Sequence, residues 1–157
     1  MDRDEERKIE WDCSRLLLRF YGYLDEKRYD ELVALFAPDG AWVRLGKELA
    51  GPAAILEAMK EREDWMTAHL VSNIRIEILG PDRADTTQYI TLYRHEGLDA
   101  AAGPGPVVLP LGVLRHKDQL VRVDGVWKFK RKTSRAMMVN RERVSIYDKP
   151  GDKTAGK

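Results

Sequence analysis

The hydrophobic pattern of this chain changes its period once, and that change restricts the fold more than any motif does. Up to about residue 62, apolar side chains recur at helical spacing; beyond about residue 66 they alternate. In "EERKIEWDCSRLLLRFYGYLDEKR", Ile9, Cys13, Leu16, Leu17, Phe20 and Leu24 form one stripe of a long amphipathic helix. "YDELVALFAPDG" offers a short helix through Leu35, ended by Pro38 and Gly40. Trp42 and Val43 suggest a strand, with a turn at Gly46-Lys47. "GPAAILEAMKERED" reads as a third helix, with Pro52 in the first turn, where no backbone N–H is needed. Strands are then expected over His69–Leu79, Ala84–His95, Val107–Val123 and Val126–Met138. Asp124-Gly125 marks a tight hairpin between the last two. Helices first and antiparallel strands after them imply an α+β fold. Three N-terminal helices pack on one face of a curved, mostly antiparallel sheet. A bent sheet closed by helices makes a cone whose open end suits a small apolar ligand.

At 157 residues, with no internal repeat or linker, one domain over 1–147 is expected, followed by a disordered tail, 148–157. The 27 Lys and Arg against 26 Asp and Glu leave no basic excess for nucleic acid or an anionic membrane surface. The only dense basic run is Lys128–Lys132. "MDRDEERK" has no apolar core of a secretory signal, and no apolar run approaches a membrane span, so a cytoplasmic protein is expected. Cys13 is the only cysteine and sits on the apolar stripe, where it reads as a small buried hydrophobe. "GLDAAAGPGP" reads as a flexible loop, either a lid or a plain hairpin connection.

The chain lacks a phosphate-binding glycine loop, a dinucleotide fingerprint and a nucleophile elbow. His69, His95 and His116 stand on separate strands without zinc-site spacing, so no metal and no cofactor are expected. His69 poses a problem of phase. In "TAHLVSNIRIEIL", strict alternation places His69 with Val71, Asn73 and Arg75, opposite Ile74, Ile76 and Ile78. A one-residue bulge near Ser72-Asn73 would bring His69 onto the isoleucine face; otherwise the isoleucines pack elsewhere. On the next strand Tyr89, Thr91, Tyr93 and His95 share a face, a surface suited to a flat oxygenated molecule. On the last, Trp127, Phe129, Arg131, Thr133 and Arg135 are in phase, and Lys128, Lys130 and Lys132 turn to solvent.

"YLDEKRYDELVALFAPDGAWV", "GPAAILEAM", "TAHLVSN" and "VRVDGVWKFKRKTSR" together resemble the SnoaL-like group of the nuclear-transport-factor-2-like superfamily, over about Ile9 to Met138. Within it, the chain is similar to the branch of scytalone dehydratase, bile-acid dehydratase and hexachlorocyclohexane dehydrochlorinase. The resemblance implies a cone-shaped α+β barrel, a deep hydrophobic pocket, homo-oligomers (trimers or dimers) and no metal. It also implies an Asp near the end of the first helix paired with a His at the start of a sheet strand. Asp25 and His69 occupy the matching positions. The chemistry is coherent. Imidazole, with a pKa near ~6.5, accepts a proton at neutral pH. A carboxylate on its other nitrogen fixes the tautomer and stabilises the imidazolium.

By the same resemblance His95 matches a second pocket histidine, with a one-residue gap. His116 takes a position that is polar in scytalone-type pockets, and Arg135 matches a functional arginine of bile-acid dehydratase. Tyr21, Tyr89 and Tyr93 complete the expected substrate contacts. The chain departs from scytalone-type enzymes before the helix-end Asp, where Leu24 stands in place of a tyrosine. The implied activity is a cofactor-independent dehydratase-like lyase or isomerase on a hydrophobic cyclic molecule. The alternative is a binding or assembly module resembling the small subunit of ring-hydroxylating oxygenases, because fold does not settle function.

Overall fold

A computed structural model describes residues 1–44, 46–96 and 103–142. The expected tail and most of the "GLDAAAGPGP" loop lie outside the described residues. The elements run α1 (Arg3–Asp25), α2 (Tyr29–Val33), β1 (Phe36–Arg44), β2 (Lys47–Ala50), α3 (Gly51–Lys60), β3 (Met66–Gly80), β4 (Arg83–His95), β5 (Gly112–Val123) and β6 (Val126–Val139). The strands form one six-stranded sheet in the order β2-β1-β6-β5-β4-β3. Among the described residues only β1 and β6 pair in parallel. The sheet is curved but not closed, so the cone is an open one. Among the described residues no helix is long and apolar enough to cross a membrane.

α1 begins at Asp2, whose carboxylate accepts from the backbone N–H groups of Asp4 and Glu5. It buries its apolar stripe, including Cys13, against the sheet. Burial raises the Cys13 thiol pKa to about 12, as expected for an inert core group. The helix stops sharply at its other end. Lys27 takes a left-handed φ of 59°, and the Arg28 N–H donates to the Tyr23 carbonyl at 2.8 Å. This Schellman-type closure leaves Asp25 in the last turn, directed at the start of β3. The short second helix ends at Val33, and β1 begins at Phe36, before Pro38. Gly40 is required there, because a Cβ would lie 2.6 Å from the Phe129 carbonyl oxygen. Asp124 (φ 50°) and Gly125 (φ 78°) make the expected tight hairpin.

Bulges set which residues face inward. In β3, Ser72 pairs with Tyr89 and Arg75 with Thr87, so Asn73 and Ile74 share one opposing residue. Asn73 takes a φ of 50°, a conformation that asparagine tolerates better than most residues. Ile74, Ile76 and Ile78 therefore pack on the core while His69 turns inward as well. In β6, Arg131 pairs with Gln119 and Phe129 with Leu120, leaving Lys130 as the extra residue. This reverses the expected phase. Trp127 and Phe129 face inward as expected, but Lys132 follows them into the core, and Arg131 turns outward to Glu48.

Lys132 is fully buried and paired with fully buried Asp118 at 2.8 Å. Its ammonium also lies 4.4 Å from the centroid of Phe20 and 4.7 Å from that of Phe129. Asp118 accepts a further hydrogen bond from Gln88 Nε2 at 2.7 Å. Losing one partner strands the other charge away from water. Lys132→Met is therefore expected to destabilise the fold by roughly 3–5 kcal/mol. Lys132→Met combined with Asp118→Leu should cost less than that single change, as measured by urea unfolding.

Candidate functional site

Between the helices and the inner face of the sheet lies a cavity of about 420 Å³. Leu24, Trp42, Leu49, Ala58, Trp65, Leu92, Leu111 and Leu114 give it apolar walls. Arg44, Lys47, Glu61, Arg62 and Glu63 form a charged rim. Tyr21, His69, His116 and Ser134 bring polar atoms to its interior. The size suits a small organic ligand with one or two rings.

The Asp25 carboxylate accepts three hydrogen bonds, all from the start of β3. Thr67 Oγ1 donates at 2.8 Å, the His69 backbone N–H at 2.8 Å, and His69 Nδ1 at 2.5 Å. The first two bonds lock the carboxylate to the backbone, so the third is oriented before any ligand arrives. An ionised carboxylate only accepts, so Nδ1 carries the proton and Nε2 keeps its lone pair. The His69 side chain is 8% exposed and lines the cavity.

Tyr21 lies on α1 one turn before Asp25, and its ring packs between the two histidines. Its centroid is 5.5 Å from that of His69 and 5.8 Å from that of His116. Its hydroxyl meets His116 Nδ1 at 3.0 Å. Burial, then the nearby Asp118 carboxylate, push the Tyr21 pKa well above its ordinary value, so the phenol keeps its proton. Burial, then Lys132, then His69 push the His116 pKa well below the ordinary histidine range, so its imidazole is neutral. Burial also lowers the Lys132 pKa, and its partner Asp118 opposes that fall.

Three expected contacts on β4 are placed elsewhere. Tyr89, Tyr93 and His95 lie on the outer face, away from the cavity. His95 Nδ1 meets the Glu96 carbonyl, and His95 and Tyr93 border a separate outer hollow with Met66, Ala68 and residues 105–108. The inward face of β4 carries Ala84, Thr86, Gln88, Ile90, Leu92 and Arg94 instead. The aliphatic residues decide this, because the face beneath the helices must be the apolar one. Arg135 is also outside, exposed and opposite Arg115, because the Lys130 bulge reverses β6. Ser134 takes the inward position next to it, opposite His116.

Sequence reasoning missed Arg94, which is 8% exposed, lies 4.0 Å from the Trp65 ring centroid and pairs with Glu96. It also missed Trp42. Arg94 shares a phase with Ile90 and Leu92, and that pairing was the available signal. Among the described residues, no three of His, Cys, Asp and Glu gather as a metal site would require.

The profile of the SnoaL-like domain matches residues 5–133. The chain belongs to the SnoaL-like domain family. Among solved structures, this SnoaL-like chain is similar to a scytalone dehydratase-like protein from Novosphingobium aromaticivorans. They share 25% identity, with a TM-score of 0.72 over 88% of this chain and 91% of that one. It shares its fold with a hexachlorocyclohexane dehydrochlorinase from Novosphingobium barchaimii, at 17% identity and a TM-score of 0.73 over 88% and 93% of the two chains. A cystatin-like protein of unknown function from Nostoc punctiforme is similar at 21% identity and a TM-score of 0.68, over 80% and 89%. Comparison with curated proteins finds no match.

The depressed pKa of His116 has a measurable consequence. The folded state resists protonating this ring, while the unfolded chain binds the proton near pH ~6.5. The neutral ring's contribution to stability is complete above that pH and is lost as the pH falls below it. His116→Gln should therefore lose less stability than wild type between pH 7 and pH 5. The difference in slope should approach about 1.4 kcal/mol per pH unit, read from unfolding at each pH.

Proposed function

We propose that this chain is a cofactor-independent lyase or isomerase that acts on a hydrophobic cyclic small molecule, with His69 as general base and Asp25 as its orienting partner. One observation carries the reading. The Asp25 carboxylate holds Nδ1 of a histidine whose ring lines the cavity and whose other ring nitrogen meets no hydrogen-bond partner among the described residues. The SnoaL-like assignment and the resemblance to a scytalone dehydratase-like protein support it.

In this reading the ligand lies among Trp42, Trp65 and the leucines, with an activated C–H against His69 Nε2. The lone pair takes the proton, and Asp25 stabilises the imidazolium that forms. A general base contributes roughly 10²–10⁴-fold; positioning and fixed dipoles supply the rest. Binding is spread over many apolar side chains, whereas proton removal rests on one group. His69→Ala should thus lower kcat by at least about 10²-fold with only a modest change in affinity. Asp25→Asn keeps most of the shape and should cost more in rate than in stability. The measurement is kcat and KM on any turnover found in a screen of cyclic hydroxy, keto and halogenated compounds. A kcat unchanged in His69→Ala would remove the mechanism. Ligand binding without turnover in wild type would favour a binding or assembly module.

Assembly belongs to the same proposal. Across the outer face of the sheet, Leu70, Thr91, Val113 and Met138 form one cross-strand row. Leu70 and Met138 are 56% and 64% exposed. Tyr89 and Tyr93 stand on the same face of β4, so the aromatic surface expected in the pocket flanks this row instead. Val107 and Leu109 fall within the strand expected from Val107 onward, but they precede β5 in irregular chain and are exposed. A second copy covering this face gives a homo-oligomer. Sedimentation should show a dimer or trimer that Leu70→Lys with Met138→Lys dissociates. A stable wild-type monomer at high micromolar concentration would contradict it.

A further inference from the structure

The inner face of the sheet carries a buried polar network that the base does not use. Two adjacent rows cross β4, β5 and β6: Thr86, Asp118 and Lys132 in one, Gln88, His116 and Ser134 in the next. Lys132 and Gln88 Nε2 both donate to Asp118, and Thr86 Oγ1 donates to Gln88 Oε1 at 3.3 Å. These bonds fix which end of the Gln88 amide is which.

The proton on Tyr21 has one acceptor in reach among the described residues, His116 Nδ1. Tyr21 therefore donates, and the neutral His116 carries its own proton on Nε2. That nitrogen is buried and has no hydrogen-bond partner among the described residues, while the ring lines the cavity. A buried donor left unpaired is costly, so a group that ligand or water satisfies is expected there.

We infer that His116 Nε2–H is a fixed hydrogen-bond donor for a carbonyl or comparable oxygen of the ligand, with Tyr21 as the residue that positions it. The inference rests on the proposed base and names the chemistry opposite it. The two histidines present opposite polarities to one cavity. His69 offers a lone pair, and His116 offers an N–H. An oxygenated ring compound uses both, whereas a halogenated hydrocarbon uses only the first.

With a β-hydroxy carbonyl compound, His69 Nε2 takes the proton from the carbon beside the carbonyl. The C–H electron pair becomes the π bond of an enolate, and charge collects on the oxygen held by His116. The carbonyl re-forms, a double bond forms to the β-carbon, and the hydroxyl leaves as water with the proton carried by His69.

The test uses 2-tetralone and tetralin, which share a bicyclic frame and differ by one carbonyl. Binding is measured by NMR titration of the full chain. Wild type should favour the ketone roughly fivefold or more, the effect of one buried hydrogen bond. The preference should fall to within about twofold in His116→Phe. Ring nitrogen shifts of wild-type His116 should report the Nε2–H tautomer, and Tyr21→Phe should weaken that tautomer while the fold persists. The tautomer decides alone if His116→Phe does not fold; an Nδ1–H ring overturns the inference. His69→Ala should keep the ketone preference, because the donor does not need the base. Equal binding of both probes to wild type, with turnover still lost in His69→Ala, overturns the donor and leaves the base standing. A ketone preference with turnover indifferent to His69 supports the donor and removes the base.

Discussion

A strand that runs without interruption commits every second side chain to one face. This fold asks more of its inner face. Beneath α1 that face must be apolar; around the cavity it must present imidazoles and hydroxyls. β3 meets both demands by spending one extra residue at Asn73, so that His69 and the three isoleucines all turn inward. β6 does the same at Lys130, which sends Lys132 to Asp118 and Arg131 and Arg135 outward. The inward placement of His69, Lys132 and Ser134 follows from these two shifts.

The helix end then meets the strand start. α1 closes at Lys27, Asp25 is held in the last turn, and its carboxylate binds β3 by a hydroxyl, a backbone N–H and an imidazole. The same contact is structural and chemical. It ties the first element to the sheet edge, and it sets the tautomer of the proposed base. Tyr21, one turn earlier, reaches His116 on the strand two places away in the sheet.

Element types were legible because period is a local property. The long helix, the proline-led third helix, the strands and the Asp124-Gly125 turn all follow from spacing that neighbours alone determine. The Asn73 bulge could be posed because His69 and the isoleucines conflicted visibly within one strand. The Lys130 bulge left no such conflict. "VWKFKRKT" alternates without fault, and only pairing with β5 and β1 shows that a residue is extra. β4 failed for a different reason. Both of its faces mix polar and apolar residues, and the aromatic one was more conspicuous than the aliphatic pair Ile90 and Leu92. Tyr89, Tyr93 and His95 belong to the outer surface, where aromatic residues suit a contact between subunits as well as they suit a pocket.

The proposed chemistry depends most on the state of one ring. Long-range proton–nitrogen NMR of His69 in the ligand-free protein reads its tautomer directly. The expected result is an Nδ1–H ring with a strongly deshielded Nδ1 proton, and loss of that deshielding in Asp25→Asn. An Nε2–H ring in wild type, with no response to Asp25→Asn, would contradict it, because the nitrogen assigned to take the substrate's proton would already hold one.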